Sequence, residues 1–166
     1  LERSVYASHF VELLDQFTYE GESIPTAFKL LVAGLGWLSD SETDLRLAAR
    51  YYEFRLLRIM GYEPSVFECA VSGETLTAQD HFFSVAEGGV VAAQHTAGLD
   101  VMHLKLPVFK ILRHFSRNSW TKVKTLKIGN DDARELERIL HTYLIYLLER
   151  RLHSASFLEK LRRDLS

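Results

Sequence analysis

The chain has 166 residues, 47% hydrophobic and 25% charged, with a formal net charge of -2, an ordinary globular balance with enough apolar mass for one sizeable core. A single cysteine, Cys69, excludes an internal disulfide framework and fits a reducing compartment, and no apolar run approaches the roughly 20 residues of a membrane span. Residues 1–10 lack the basic-then-apolar order of a secretory signal, and opening on Leu1 inside a helical pattern, without Met, the chain reads as the rear part of a longer protein.

In chain order, residues 4–18 place Val5, Phe10, Leu13, Leu14 and Phe17 at helical spacing, with Gly21 as the stop. Pro25 suits a first helical turn, and Phe28, Leu31, Leu35 and Leu38 continue a 3.6-residue stripe. Ser41 and Asp44 have capping-box spacing, and Leu45, Ala48, Ala49, Tyr52, Leu56, Ile59 and Met60 then run to a C-terminal Gly61. From Pro64 to about Gly98 the pattern turns to β-type residues, and a hairpin is expected from His81–Ala86 against Val90–Gln94, with Gly88 and Gly89 at the turn. Helices resume after Pro107, where Val108, Ile111, Leu112 and Phe115 make one face and Lys110, Arg113 and Arg117 the other. Asn130, Asp131 and Asp132 open the longest helix, striped by Leu136, Ile139, Leu140, Tyr143, Leu144, Leu147 and Leu148, and a separate short helix should start near Ser154 with Phe157, Leu158 and Leu161. The expected fold is mainly α: about six helices over residues 1–166, with a small β-hairpin subdomain inserted at 64–98.

Charge is segregated along this order. Residues 1–100 hold six Lys/Arg against fifteen Asp/Glu, while residues 101–166 hold fourteen against seven. Between Asp100 and Asp131 there is no acidic side chain, yet Lys105, Lys110, Arg113, Arg117, Lys122, Lys124 and Lys127 fall there, interleaved with Phe109, Phe115 and Trp120. Cations that neutralise phosphates beside aromatics that stack on bases are a nucleic-acid pattern, and Trp120 is the candidate stacking residue. The same run also fits an ordinary solvated helix face with its aromatics in the core.

Three phrases resemble the C-terminal region of the RecO family of bacterial DNA repair proteins. Arg50-Tyr-Tyr-Glu-Phe-Arg-Leu-Leu-Arg-Ile-Met-Gly-Tyr62-Glu-Pro64 is similar to a family helix ending in Leu-Gly-Tyr before a proline. Cys69-Ala-Val-Ser72-Gly73, followed by Phe83 to Val91, is similar to the family's zinc-finger region, and Arg150-Arg-Leu-His-Ser154-Ala-Ser-Phe157-Leu158 to its tail. The resemblance implies a cytoplasmic, nucleoid-associated, non-catalytic recombination mediator. It would bind single- and double-stranded DNA, dock the acidic tail of the single-strand-binding protein SSB, and act with RecR. The family's N-terminal OB-fold has no counterpart in this sequence.

For the SSB tail, which ends in acids and a Phe, two docks are open: the third helix, with Arg46, Arg50, Arg55 and Arg58 beside Tyr51 and Leu57, or the basic run itself. The arginines also fit pairing with Glu53 or Asp44. A RecR contact is expected on the acidic first half. Intact fingers of the family carry two Cys-x-x-Cys pairs that close a tetrahedral zinc shell. The matching positions here are Cys69, Ser72, Ala92 and His95, of which only Cys69 and His95 keep a good donor, so no zinc and no other cofactor is expected. An irregular shell completed by His81 or His103 is the alternative.

Catalysis finds little footing. His-Glu-x-x-His and Gly-x-Ser-x-Gly are absent, Gly34-Leu-Gly36 lacks the third glycine of a dinucleotide loop, and Ser119-x-x-Lys122 lacks companion motifs. A metal-dependent hydrolase using His81, His95 and His103 is the remaining enzyme reading; the expectation is no enzyme.

Overall fold

The computed structural model describes residues 1–18 and 24–166; Gly21, read as the stop of the first helix, lies outside them. Six α-helices account for most of the described chain: α1 Glu2–Phe17, α2 Pro25–Ser39, α3 Leu45–Ile59, α4 Leu106–Arg117, α5 Trp120–Val123 and α6 Asn130–Leu165. Between α3 and α4 sits a small antiparallel sheet of β1 His81–Ser84, β2 Gly89–Val91 and β3 Met102–Leu104, in the order β2-β1-β3. The fold is mainly helical with a small β insertion. No described helix is long and apolar enough to cross a membrane.

Helix α3 is the hub, with ten of its fifteen residues buried against α1, α2, α4 and α6. It starts at Asp44, whose Oδ1 accepts the N–H groups of Arg46 and Leu47 at 3.0 and 3.3 Å, so the N-cap is Asp44 and the helix begins after the Ser41 box that the spacing suggested. It ends as expected at Gly61, with φ +85. There the N–H of Gly61 donates to Arg58 O and that of Tyr62 to Leu57 O, the two bonds of a glycine-terminated C-cap.

On α2 the buried residues are Ala27, Leu31, Gly34 and Leu38, while Phe28 is 62% exposed. Of the stripe read from the sequence, Leu31 and Leu38 are buried as expected, while Phe28 and Leu35 give way to their neighbours Ala27 and Gly34. The cause is close approach: a Cβ on Gly34 would stand 3.0 Å from Tyr52 and 3.1 Å from Phe10, whose rings stack at 4.0 Å. Small residues face the core because the helices nearly touch, and the Gly34-Leu-Gly36 phrase is packing.

The hairpin is shorter than expected, with Phe82 opposite Val91 and Ser84 opposite Gly89. A third strand was missed: β3 pairs with β1 through His81↔Leu104 and Phe83↔Met102, which carries the sheet past residue 98. Gly88 supplies the positive φ of +75, whereas Gly89 serves contact, since a Cβ there would meet Ser65 O at 2.5 Å. Across that gap Ser65 N–H donates to Gly88 O and Val90 N–H donates to Ser65 O. Phe83 packs edge-on to Tyr143 of α6 at 5.6 Å, and Tyr143 donates to Tyr62 O at 2.9 Å, fastening the sheet to the bundle.

Helix α6 runs unbroken to Leu165, through the break expected near Ser154. Residues 130–166 contain no glycine or proline to end it. Its buried residues stop at Leu147, and Leu152, Phe157, Leu158, Leu161 and Leu165 are exposed.

Candidate nucleic-acid interface

Helix α4 sorts its side chains cleanly. Val108, Phe109, Leu112 and Phe115 are buried, Lys110 and Arg117 are exposed, and Arg113 lies partly buried between them. Steps of three and seven residues from Lys110 keep Arg113 and Arg117 on its side of the helix. The first N–H groups are met by carboxylates, Leu106 donating to Asp80 at 2.8 Å and Lys105 to Glu135 at 3.1 Å. Acids at the N-terminus and His114 and Arg117 in the last turn both suit the helix dipole.

Lys105, Lys122, Lys124 and Lys127 are exposed before and after α4. Among the described residues, no carboxylate lies within ion-pair distance of Lys105, Lys110, Arg113, Arg117, Lys122, Lys124 or Lys127. Arg113 and Arg117 instead rest on aromatic rings. The Arg113 guanidinium is 4.8 Å from the Phe109 centroid and 5.0 Å from that of Phe67, and Arg117 is 4.3 Å from Phe67. Burial first, then the Arg117 charge, lower the pKa of Arg113 from its ordinary value. Phe67 is a residue of this surface that sequence reasoning missed, because it lies more than thirty positions before the basic window.

Trp120 is half-buried, stacked on Trp37 at 4.8 Å and 21° and tilted against Tyr51 at 5.8 Å. One face is thus committed to the protein, and a base could reach only the remaining surface.

The six residues expected on α3 do not come together as one exposed patch. Arg50 is 9% exposed and Tyr51 and Leu57 are buried. Arg50 is held by Glu53 at 2.9 Å and Glu137 at 3.2 Å, and His9 Nε2 lies 2.9 Å from the same Glu53 oxygen. Arg58 binds Glu63 and Ser116 O, and Ser116 Oγ donates to Glu63 at 2.8 Å. Arg46 reaches Asn130 Oδ1 at 2.9 Å, and Arg55 lies over Tyr51 at 5.7 Å. The arginines of α3 mostly knit elements together.

The finger-like positions do not fit zinc. Cys69 is 2% exposed, and Ala92 N–H donates to its Sγ at 3.4 Å. Burial raises its pKa, but hydrogen bonds from the Ser72 hydroxyl and the N–H groups of Ala92, Ser72 and Val71 outweigh that and bring it down to about 7. That cradle suits a thiolate. A tetrahedral shell, however, needs four donors, and Ala92 has none. His95 Nε2 faces Glu74 at 3.6 Å. Among the described residues no three His, Cys, Asp or Glu side chains are grouped to hold a metal. His81 is buried, bonded to Thr77 O at 2.7 Å and packed on Phe109, while His103 is exposed beside Phe82; the three histidines of the hydrolase reading are not assembled. Ser119 and Lys122 are joined through their backbones in the single turn of α5.

Residues 1–156 match the family model for the recombination protein O C terminal. The chain belongs to the RecO C-terminal family. It is 33% identical over 99% of its length to the DNA repair protein RecO of Roseiflexus sp. (strain RS-1), 58% of which it covers. Against the RecO proteins of Dehalococcoides mccartyi (strain ATCC BAA-2266 / KCTC 15142 / 195) and Desulforamulus reducens it is 29% and 28% identical, over 98% and 97% of this chain and 64% and 62% of theirs. The chain thus spans about three fifths of these RecO relatives.

Proposed function

We propose that this chain is a non-catalytic DNA-repair module that binds single- and double-stranded DNA through the basic face of α4 and the α4–α6 connection. One observation carries the reading: seven cations in a stretch devoid of acids, none of them neutralised by a carboxylate of the described chain. Leaving so much like charge unpaired costs stability by self-repulsion, and a polyanion removes that cost by bringing phosphates. Affinity is mainly electrostatic and indifferent to sequence. Kinship with DNA repair proteins named RecO supports the same direction. Zinc plays no part in it, because the donors at the finger positions do not make a shell.

Partner docking is the second activity proposed, on the model of a mediator that engages an SSB tail and RecR. Burial and internal pairing on α3 favour the basic face over α3 as the place where an acidic peptide would bind. The test is the triple variant Lys110→Glu, Arg113→Glu, Arg117→Glu, read by fluorescence anisotropy of a labelled oligonucleotide and by circular dichroism. Binding is expected to be lost with helix content unchanged; retained affinity in a folded variant would refute the assignment. A labelled acidic peptide ending in Phe, titrated against the same variant, reports whether both ligands share the surface.

A further inference from the structure

The loop leading into the degenerate finger still has ordered structure. Cys69 N–H donates to Glu74 O at 2.8 Å, Gly73 N–H to Cys69 O at 2.9 Å, and Leu76 N–H to Phe67 O at 2.9 Å, and Glu68 bridges Thr75. Ala70 N–H then reaches Val90 O on β2 at 2.8 Å, and the Cys69 thiol takes the Ala92 N–H. Hydrogen bonds thereby fix the turn to the sheet. The turn's Phe67 ring, half-buried against the core, is where both α4 guanidiniums settle, Arg113 at 5.0 Å and Arg117 at 4.3 Å.

Two like charges near each other, with no carboxylate on either, are an unfavourable arrangement unless an anion completes it. Arg113 Nε is buried without a hydrogen-bond partner among the described residues. Stacking removes rotamer freedom from both long side chains in advance, so that less entropy is lost when their planar forks take an anion.

We propose that Arg113 and Arg117, held on the Phe67 ring, form a fixed clamp for one backbone phosphodiester of a nucleic acid, and that the metal-free finger persists as the mount for Phe67. Phe67 is a positioning residue; the arginines make the contact. This deepens the DNA-binding reading above and rests on it. The other cations of the track contribute diffuse attraction, whereas the clamp contributes geometry, because guanidinium presents a rigid bidentate edge and ammonium only a point charge.

The test separates charge from geometry. Anisotropy with a labelled single-stranded oligonucleotide is measured for the parent chain, for Arg113→Lys with Arg117→Lys, which keeps both charges, and for Phe67→Leu and Phe67→Tyr. Thermal melts of every variant accompany the titrations. Both the double lysine variant and Phe67→Leu are expected to bind about three- to tenfold more weakly, the size of a ring–cation contact, with the salt slope unchanged and Phe67→Tyr close to the parent. Parental affinity in the double lysine variant would overturn the clamp while leaving the electrostatic reading intact. If neither these variants nor the triple glutamate variant alters binding, the assignment of DNA binding to this face falls as well. Loss of affinity in Phe67→Leu together with a lowered melting temperature is decided by the lysine pair, which leaves the finger turn untouched.

Discussion

Glu63 ties three parts of the molecule together, since Arg58 of α3 and Ser116 of α4 both bond its carboxylate just after the α3 cap. Burial alone would raise its pKa; the hydrogen bonds from Arg58 and Ser116 and the Arg58 charge outweigh this and hold it below the ordinary carboxylate value. A carboxyl whose folded value is depressed stabilises fully above its unfolded value, roughly 4.3, and loses that contribution as pH falls through the folded value. Glu63→Gln should cost on the order of 1 kcal/mol at pH 7, discounted because the pair is about one-third exposed. Urea midpoints at pH 7 and pH 3 check this, the variant and parent converging at pH 3; an equal deficit at both would mean that shape, not charge, matters. Cys69 offers a second check at this scale. Its thiol should titrate near 7 in the folded chain, read from the 13Cβ shift, against about 8.5 for an unstrained cysteine.

At the scale of elements, close backbone approach decides more than hydrophobicity does. Gly34→Ala forces the stacked Phe10 and Tyr52 rings to give by a few tenths of an ångström, and should destabilise by about 1–3 kcal/mol in a thermal or urea melt. The same feature explains where sequence reading failed on part of α2: counting large apolar residues selects Phe28 and Leu35 along with Leu31 and Leu38, while the buried face joins Leu31 and Leu38 to the small Ala27 and Gly34. The three-residue strand Met102–Leu104 carries too little alternation to be seen, and its role comes from pairing with β1 twenty residues earlier. Helix caps at Pro25 and Gly61, being local chemistry, were legible. With only Cys69 and His95 as good donors at the finger positions, elemental analysis of protein purified without added zinc should find well under one equivalent; one zinc per chain would contradict this. Such a result would also require donors beyond Cys69 and His95.

For the whole molecule, segregation of charge is the property most plainly written in the sequence, and the fold keeps it: the acid-free window becomes one helix face and the connection after it, with no internal counter-charges among the described residues. Which arginines are available was not legible. Those of α3 have the spacing of a surface patch, yet Arg50 meets Glu137 from a helix 87 positions away, and Arg58 meets Ser116 from α4. Only tertiary pairing distinguishes a structural arginine from one free to bind. The same applies to Trp120, whose partner Trp37 lies on α2, and to Phe67 beneath Arg113 and Arg117. Salt dependence of binding to single-stranded DNA tests the central claim most directly. If about five phosphates are neutralised, log affinity should fall against log salt with a slope of roughly -3.5. A flat dependence, or no binding at low salt by the folded chain, would contradict a cationic face built to hold a nucleic-acid backbone.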